Sequence, residues 1–398
     1  MMMPMTLARS LESKGSRRAT LGLEHTRAFT EKVFGEGLHA RRVLSLANGV
    51  AGVLSASVVS IHAIGQAYAH LAHITGKSGI KQVDRLLSND GIVLEEVMAS
   101  WVRFVVGDSE SVVLAFDWTD FDADDHTTLC AYMITNHGRA MPLAWRTVSK
   151  SKLKNNRTQN ELEMVERLHR WMPENVGLTV LADRAFGNQD LYNVLEGFGW
   201  DYVIRFRGCI RVEAADGTAQ PCEEWVPTNG RPRMLRDARV TADRTQIGAV
   251  VAVKARGMKE AWCLATSFKS RTATEIVKLY GRRFTIEETF RDTKDLHFGM
   301  GLTATHVRDA GRRDRLLLLI AVAHTLLTLL GAASEESGLD RYLKANTVKR
   351  RTHSLYRQGL YWYHCLPTMR ADWFERLITA YDRIVREHPF FSVFFAIK

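Results

Sequence analysis

Cysteine is scarce in this chain: five in 398 residues, at 130, 209, 222, 263 and 365, with no C-x-x-C pair. That pattern argues against a zinc site or a disulfide framework and for a reducing compartment. No internal repeat and no low-complexity segment is present. The opening stretch MMMPMTLARSLESKGSRR has no continuous apolar core, so no secretory leader is expected. Long apolar runs are equally rare. The one that exists, Leu316–Ala333, is 18 residues long, contains His324, Thr325 and Thr328, and has no companion. It reads as a buried core helix rather than a membrane span. Acidic residues fall short of basic ones, 44 against 54, which leaves a net charge of +10 and a pI near 9.4. A deficit of that sign suits a polyanionic partner, nucleic acid before anionic membrane.

What is present is ordinary globular composition, 46% hydrophobic and 25% charged, in a chain long enough for two or three domains. Residues 1–108 read as mostly helical. Apolar residues over 42–72 recur at helical spacing, with Gly49, Gly52 and Gly65 as turns or close-packing points, and KQVDRLLSNDGI reads as a short helix ending at Asn89-Asp90-Gly91. A basic helical region ahead of a core suits DNA reading of the helix-turn-helix kind, or plain packing. From 111 the texture changes. SVVLAF is a continuous buried-strand run ending in Asp117, and TTLCAYMIT and AMPLAWRTV form a hairpin around Asn136-His137-Gly138. A capping-box pattern, Thr158-x-x-Glu161, opens a helix; GLTVLAD is a second buried strand ending in Asp183; a helix near 188–197 and the strand DYVIRF follow. The order is β-β-β-α-β-α-β, a mixed sheet flanked by helices. Residues 207–270 read as short strands and turns, a β-rich insertion. A second capping box, Thr272-x-x-Glu275, opens the next helical stretch, and residues beyond 335 are basic and helical, closing in HPFFSVFFAIK.

That next stretch contains LYGRRFTIEETFRDTKDLHF, in which Tyr280, Arg283, Glu287 and Lys294 share one helix face. At about 100° per residue they fall in a stripe roughly 60° wide, where a core helix would place Leu and Val. Glu288 lies off this stripe. Three carboxylates, Asp117, Asp183 and Glu287, meet if the two strands are neighbours and the helix crosses the sheet. Hard oxygen ligands of this kind suit Mg²⁺, and two such ions about 4 Å apart serve in-line phosphoryl displacement. Taken singly, each acid is equally a turn residue, a cap or a solvated face, and Asp120, Asp122, Asp124 and Asp125 crowd close behind Asp117. The basic cluster at 150–157 suits either a surface loop touching DNA or a solvated charge run, and those at Arg312, Arg313 and Arg315 and at Lys349, Arg350 and Arg351 suit phosphate contact.

The spacing Tyr280-x₂-Arg283-x₃-Glu287-x₆-Lys294 resembles the Y-R-E-K signature of insertion-sequence family four, bacterial DDE transposases, and its Tn-ten-like branch in particular. LAFDWTD, VLADRAF, GWDYVIRFRG, AWCLATSF, IEETFRDTK and ANTVKRR agree with that branch in the same order. The resemblance runs from about 80 to about 352. It implies an α/β fold: an RNase H-like catalytic core in two parts (109–206 and 271–335), interrupted by the β-rich insertion (207–270). A helical DNA-binding region (1–108) and a basic helical C-terminal region (336–398) would flank it. It implies Asp117, Asp183 and Glu287 as catalytic and metal-binding residues, with two Mg²⁺ ions for which Mn²⁺ substitutes. It implies Tyr280, Arg283 and Lys294 as grips on the DNA, and Trp262 as the ring that stacks on a flipped base. The expected activity is cut-and-paste transposition through a hairpin intermediate. Its partners would be the terminal repeats, target DNA and a second protomer in the synaptic complex, in the bacterial cytoplasm at the nucleoid and without a membrane. The rival expectations are an RNase H-like nuclease or junction resolvase that cuts without joining, and a non-catalytic DNA-binding relic.

Overall fold

The computed structural model describes residues 23–56, 58–296 and 299–386. The opening and closing stretches singled out above lie outside them. The chain divides into two compact units. One gathers the described residues up to Gly107, the segment Thr135–Met141 and those from Thr289 onward; the other is built from Asp108–Ile134 and Pro142–Glu288.

The second unit is organised by an eight-stranded mixed sheet. Its strands in chain order are β1 (Ser111–Phe121), β2 (His126–Met133), β3 (Met141–Ser149), β4 (Gly177–Ala182), β5 (Asp201–Phe206), β6 (Arg211–Glu213), β7 (Ala219–Pro221), β8 (Arg233–Arg236), β9 (Arg239–Val240), β10 (Thr245–Gln246), β11 (Ala249–Val253) and β12 (Trp262–Thr266). The main sheet runs β3-β2-β1-β4-β5-β12-β11-β8, while β10-β9-β6-β7 form a small second sheet. The continuous apolar runs of β1 and β4 are buried through Leu114–Phe116 and Val180–Ala182, as expected of central strands covered on both faces. These two strands are parallel neighbours, with Phe116 opposite Ala182. Residues 207–270 are rich in strand, but three of those strands do not stand apart. β12 pairs antiparallel with β5, and β11 and β8 continue the sheet beyond it.

Helices α6 (Arg157–Trp171) and α7 (Gln189–Gly197) join the strands, and Asn188 caps α7 by accepting the Leu191 N–H at 2.9 Å. The capping box expected at Thr158 does not form. The helix begins after Asn156, and Glu161 turns inward because the Trp118 indole and Arg157 recruit its carboxylate. The box at Thr272 does form and opens α8 (Ala273–Gly281). The expected unbroken stripe helix is interrupted: a 3₁₀ turn over Arg282–Phe284 separates α8 from α9 (Thr285–Lys294). A 3₁₀ turn advances about 120° per residue, so the side chains beyond it are rotated relative to an ideal stripe.

The first unit is helical: α1 (His25–Phe34), α2 (Ala40–Ser55), α3 (Ile61–Leu71), α4 (Gly76–Leu87), α5 (Leu94–Val106), α10 (Ala310–Glu336), α11 (Leu355–Cys365) and α12 (Ala371–Arg386). Helix α10 holds the long apolar run. Its most apolar window is fully buried, with α2, α4, α11 and α12 packed on it. Gly49, Gly52 and Gly65 lie inside helices as close-packing points. A Cβ on Gly65 would sit 2.4 Å from the Ile80 backbone, so α3 and α4 cross in near contact. The arginines ahead of the apolar run fasten α10 in place. Arg312 pairs with Asp84 at 2.6 Å, Arg315 pairs with Asp90 at 3.1 Å, and Arg313 is fully buried.

Candidate active site

The parallel pairing of β1 and β4 brings Asp117 and Asp183 to the same end of the sheet. Asp117 follows Phe116, and Asp183 follows Ala182, its partner in the register. Both carboxylates are held by backbone donors: Asp117 Oδ1 accepts the Trp118 N–H at 2.9 Å, and Asp183 Oδ1 accepts the Ala185 N–H at 2.8 Å. Arg283, in the 3₁₀ turn, reaches across. Its Nη1 donates to Asp117 Oδ2 at 3.0 Å and its Nη2 to Glu287 Oε1 at 2.8 Å. The guanidinium is 7% exposed and the Glu287 side chain 52%, so the bridge joins a buried strand end to an open helix turn. Glu287, not the adjacent Glu288, faces Arg283.

Asp117 carries the electrostatic signature of the site. Burial pushes its carboxyl up to about 6; Arg283 opposes that rise, while Asp183 and Glu287 add to it. Three carboxylates and one guanidinium leave the cluster short of positive charge. Three of the nearby acids, Asp120, Asp122 and Asp125, are committed elsewhere. Asp120 pairs with Lys150 at 2.8 Å, and Asp122 also pairs with Lys150. Asp125 accepts from the hydroxyls of Ser149 (2.6 Å) and Ser151 (2.7 Å).

Trp262, Tyr280 and Phe284 form an aromatic cluster beside Arg283. Trp262 and Tyr280 meet edge to face at 4.9 Å, Trp262 and Phe284 are tilted at 5.8 Å, and the Arg283 guanidinium lies 4.9 Å from the Phe284 ring centre. Trp262 is half-buried and Tyr280 buried, whereas Phe284 is 40% exposed. Burial raises the Tyr280 hydroxyl above its ordinary value. The structure therefore brings Asp117, Asp183, Glu287, Arg283, Tyr280 and Trp262 together. Lys294 lies in the last turn of α9, two turns past Glu287, in the stretch that belongs to the helical unit.

Residues 108–326 match the family model described as the transposase DDE domain. The chain belongs to the DDE transposases. No curated protein matches it. Membership makes it an enzyme that acts on DNA, and transposases of this family generally use divalent metal ions. Among the described residues, no group of three His, Cys, Asp or Glu side chains is drawn together closely enough to hold an ion. The donor set nevertheless fits one. Its ligands are all carboxylate oxygens, as hard cations prefer, and Asp117 is costly to ionise without more positive charge beside it.

Two neighbours of the site escape sequence reading. Phe284 is the ring next to Arg283, and nothing in its spacing distinguishes it from a core aromatic. Glu161 is the other: Oε1 accepts from Trp118 Nε1 at 2.9 Å and Arg157 Nε at 3.2 Å. Its position in a capping-box pattern disguised it.

Proposed function

We propose that this transposase cuts and pastes DNA through one carboxylate site, Asp117, Asp183 and Glu287. The observation that supports the reading is that Asp117 and Asp183 end parallel neighbouring strands while Arg283, beside an aromatic cluster, links Asp117 to Glu287. One strand at the transposon end is nicked by water. The freed 3′-OH then attacks the opposite strand, closing a hairpin and releasing the flank. A second water opens the hairpin, and the 3′-OH joins to target DNA. Each step is an in-line phosphoryl transfer, so a single site serves all four in turn. Mg²⁺, for which Mn²⁺ would substitute, is therefore the expected cofactor: a pair of ions held by the three acids would lower the proton affinity of the attacking oxygen and offset charge at the scissile phosphate.

Around that site, the chain's own groups bind and orient. Arg283 bridges Asp117 and Glu287 and offsets part of their charge in the free protein, and a phosphate entering the site competes for the same fork of donors. Lys294 supplies a further point charge to the DNA end, and Tyr280 backs Trp262 so that the indole receives an extruded base. Stacking is worth about 1–3 kcal/mol per base and offsets part of the cost of extrusion. End recognition falls to the N-terminal helices. Helix α4 presents Lys77, Lys81, Gln82 and Arg85 to solvent, and its close crossing with α3 suits entry of a helix into the major groove. Two protomers, one per transposon end, complete the synaptic complex, in the bacterial cytoplasm.

The test is incubation of purified protein with Mg²⁺ and a duplex bearing its own element's terminal sequence, read on denaturing gels. Hairpinned ends followed by joined products are expected. Asp117→Ala and Glu287→Ala should each lower cleavage by roughly a thousandfold, since the charge stabilisation lost is several kcal/mol. Nicks without joining would identify a nuclease; tight binding without cleavage in Mg²⁺ or Mn²⁺ would identify a DNA-binding relic.

A further inference from the structure

Glu161 is an ionisable residue where a neutral one would serve packing better. Its side chain is 1% exposed on α6, and Oε1 is fully committed to the Trp118 indole and Arg157. Oε2 is buried and has no hydrogen-bond partner. Glutamine at this position would accept the same Trp118 N–H without burying a charge, and an unmet buried acceptor costs about 1–3 kcal/mol. Arg157 closes the arrangement by lying 5.3 Å from the Trp118 ring centre. Trp118 and Asp117 are consecutive on β1, so their side chains leave opposite faces of the sheet. Through the Trp118 indole, Glu161 reaches β1 one residue past Asp117. Asp183, just past the end of β4, adds slightly to the proton affinity of Glu161, although burial is the larger cause.

We propose that Glu161 is a fourth acidic member of the site, a positioning residue whose unshared Oε2 adds negative charge behind Asp183 and strengthens divalent-cation binding by the triad. This rests on the carboxylate reading above. The role is distinct from that of the three acids: Glu161 acts on the cation through its field and through the water around it, as groups behind a metal's ligands do.

The experiment is Mn²⁺ titration of the full-length protein without DNA, followed by electron paramagnetic resonance, with urea melts to check folding. Glu161→Gln keeps the acceptor for Trp118 and removes the charge; Trp118→Phe keeps the charge and removes the donor. The expected result is a loss of Mn²⁺ affinity of about 10- to 100-fold in Glu161→Gln, with Trp118→Phe close to wild type. Unchanged affinity in Glu161→Gln would overturn the proposal, and so would equal losses in both variants, which would make Glu161 a prop for the indole. If the Gln variant does not fold, Glu161→Asp decides: retained affinity supports the role of charge, and lost affinity in a folded Asp variant overturns it. Wild-type binding abolished by Asp183→Ala establishes the triad independently. Absence of Mn²⁺ binding in the wild type would overturn the triad and this proposal together.

Discussion

In the sheet unit a guanidinium lies between two carboxylates; in the helical unit a carboxylate lies between two guanidiniums. Arg283 joins Asp117 to Glu287. Asp292 is paired with Arg139 and, at 2.7 Å, with Arg357. Both clusters draw on α9, little more than a turn apart, yet they differ in what surrounds them. Asp292 is 1% exposed and already has a cation on each side. Its neighbourhood is closed: Thr289 also donates to the Ala140 carbonyl at 2.9 Å, tying the helix to the 135–141 segment of the same unit. The Arg283 cluster opens through Glu287, faces a third acid at Asp183, and is short of positive charge. A buried ion pair with matched partners is a fastening. One left with excess charge and an open side is arranged to receive something else.

The sharpest way to break this comparison is to remove the central charge of the closed cluster. Asp292→Ala leaves two arginines without their shared anion, and losing one partner of a buried pair costs about 3–5 kcal/mol. The expected outcome is a urea midpoint shifted down accordingly, with DNA cleavage by the remaining folded protein retained. A variant of unchanged stability would show that Asp292 fastens nothing, and the contrast between the two clusters would fail.

A smaller effect sharpens the contrast from the other side. The Asp117 carboxyl lies at about 6 in the folded protein against 3.8 for an ordinary aspartate. The folded state therefore holds this proton more tightly than the unfolded chain does. The sign follows: the contribution to stability is greatest below about pH 4 and is lost as pH rises through about 6. Asp117→Asn should abolish that fall, on the order of 2–3 kcal/mol at most, in metal-free urea melts compared at pH 4 and pH 7. If the wild type gains stability over that interval from this residue, Asp117 is an ordinary paired carboxylate and the site has no charge to spare.

How much of this was legible in the sequence depends on whether the signal was local. The strands ending in Asp117 and Asp183 announced themselves as apolar runs, but that they are parallel neighbours was left open, because pairing depends on contacts between distant segments. The helix face of Tyr280, Arg283 and Glu287 was legible from spacing, but the 3₁₀ turn at Arg282–Phe284 was not, because it departs from the period only over three residues. Glu161 was legible as a helix-start residue and nothing more. Its true partners are Trp118, on a strand far upstream, and Arg157, one turn back. The basic cluster at Arg312, Arg313 and Arg315 reads as phosphate-binding by composition, yet long-range pairing with Asp84 and Asp90 uses it internally. Charge counts predict a partner for the whole molecule; they do not say which arginines are left over to meet it.

Helix α4 keeps positive charge at the surface of the helical unit, and it gives the smallest test. Lys77, Lys81 and Arg85 are exposed there, whereas Asp84 on the same helix is taken by Arg312. Each lysine that meets a phosphate releases about one counterion, so Lys81→Ala should lower the slope of log affinity against log salt by about one and weaken binding similarly across sequences. Gln82, beside it, has the amide that pairs with an adenine edge, and Gln82→Ala should instead change preference among end sequences while leaving the salt slope alone. Binding to labelled duplexes at two or more salt concentrations separates the two. If both variants bind with the wild-type slope and preference, α4 is a packing helix, and the positive charge that meets DNA lies on another element.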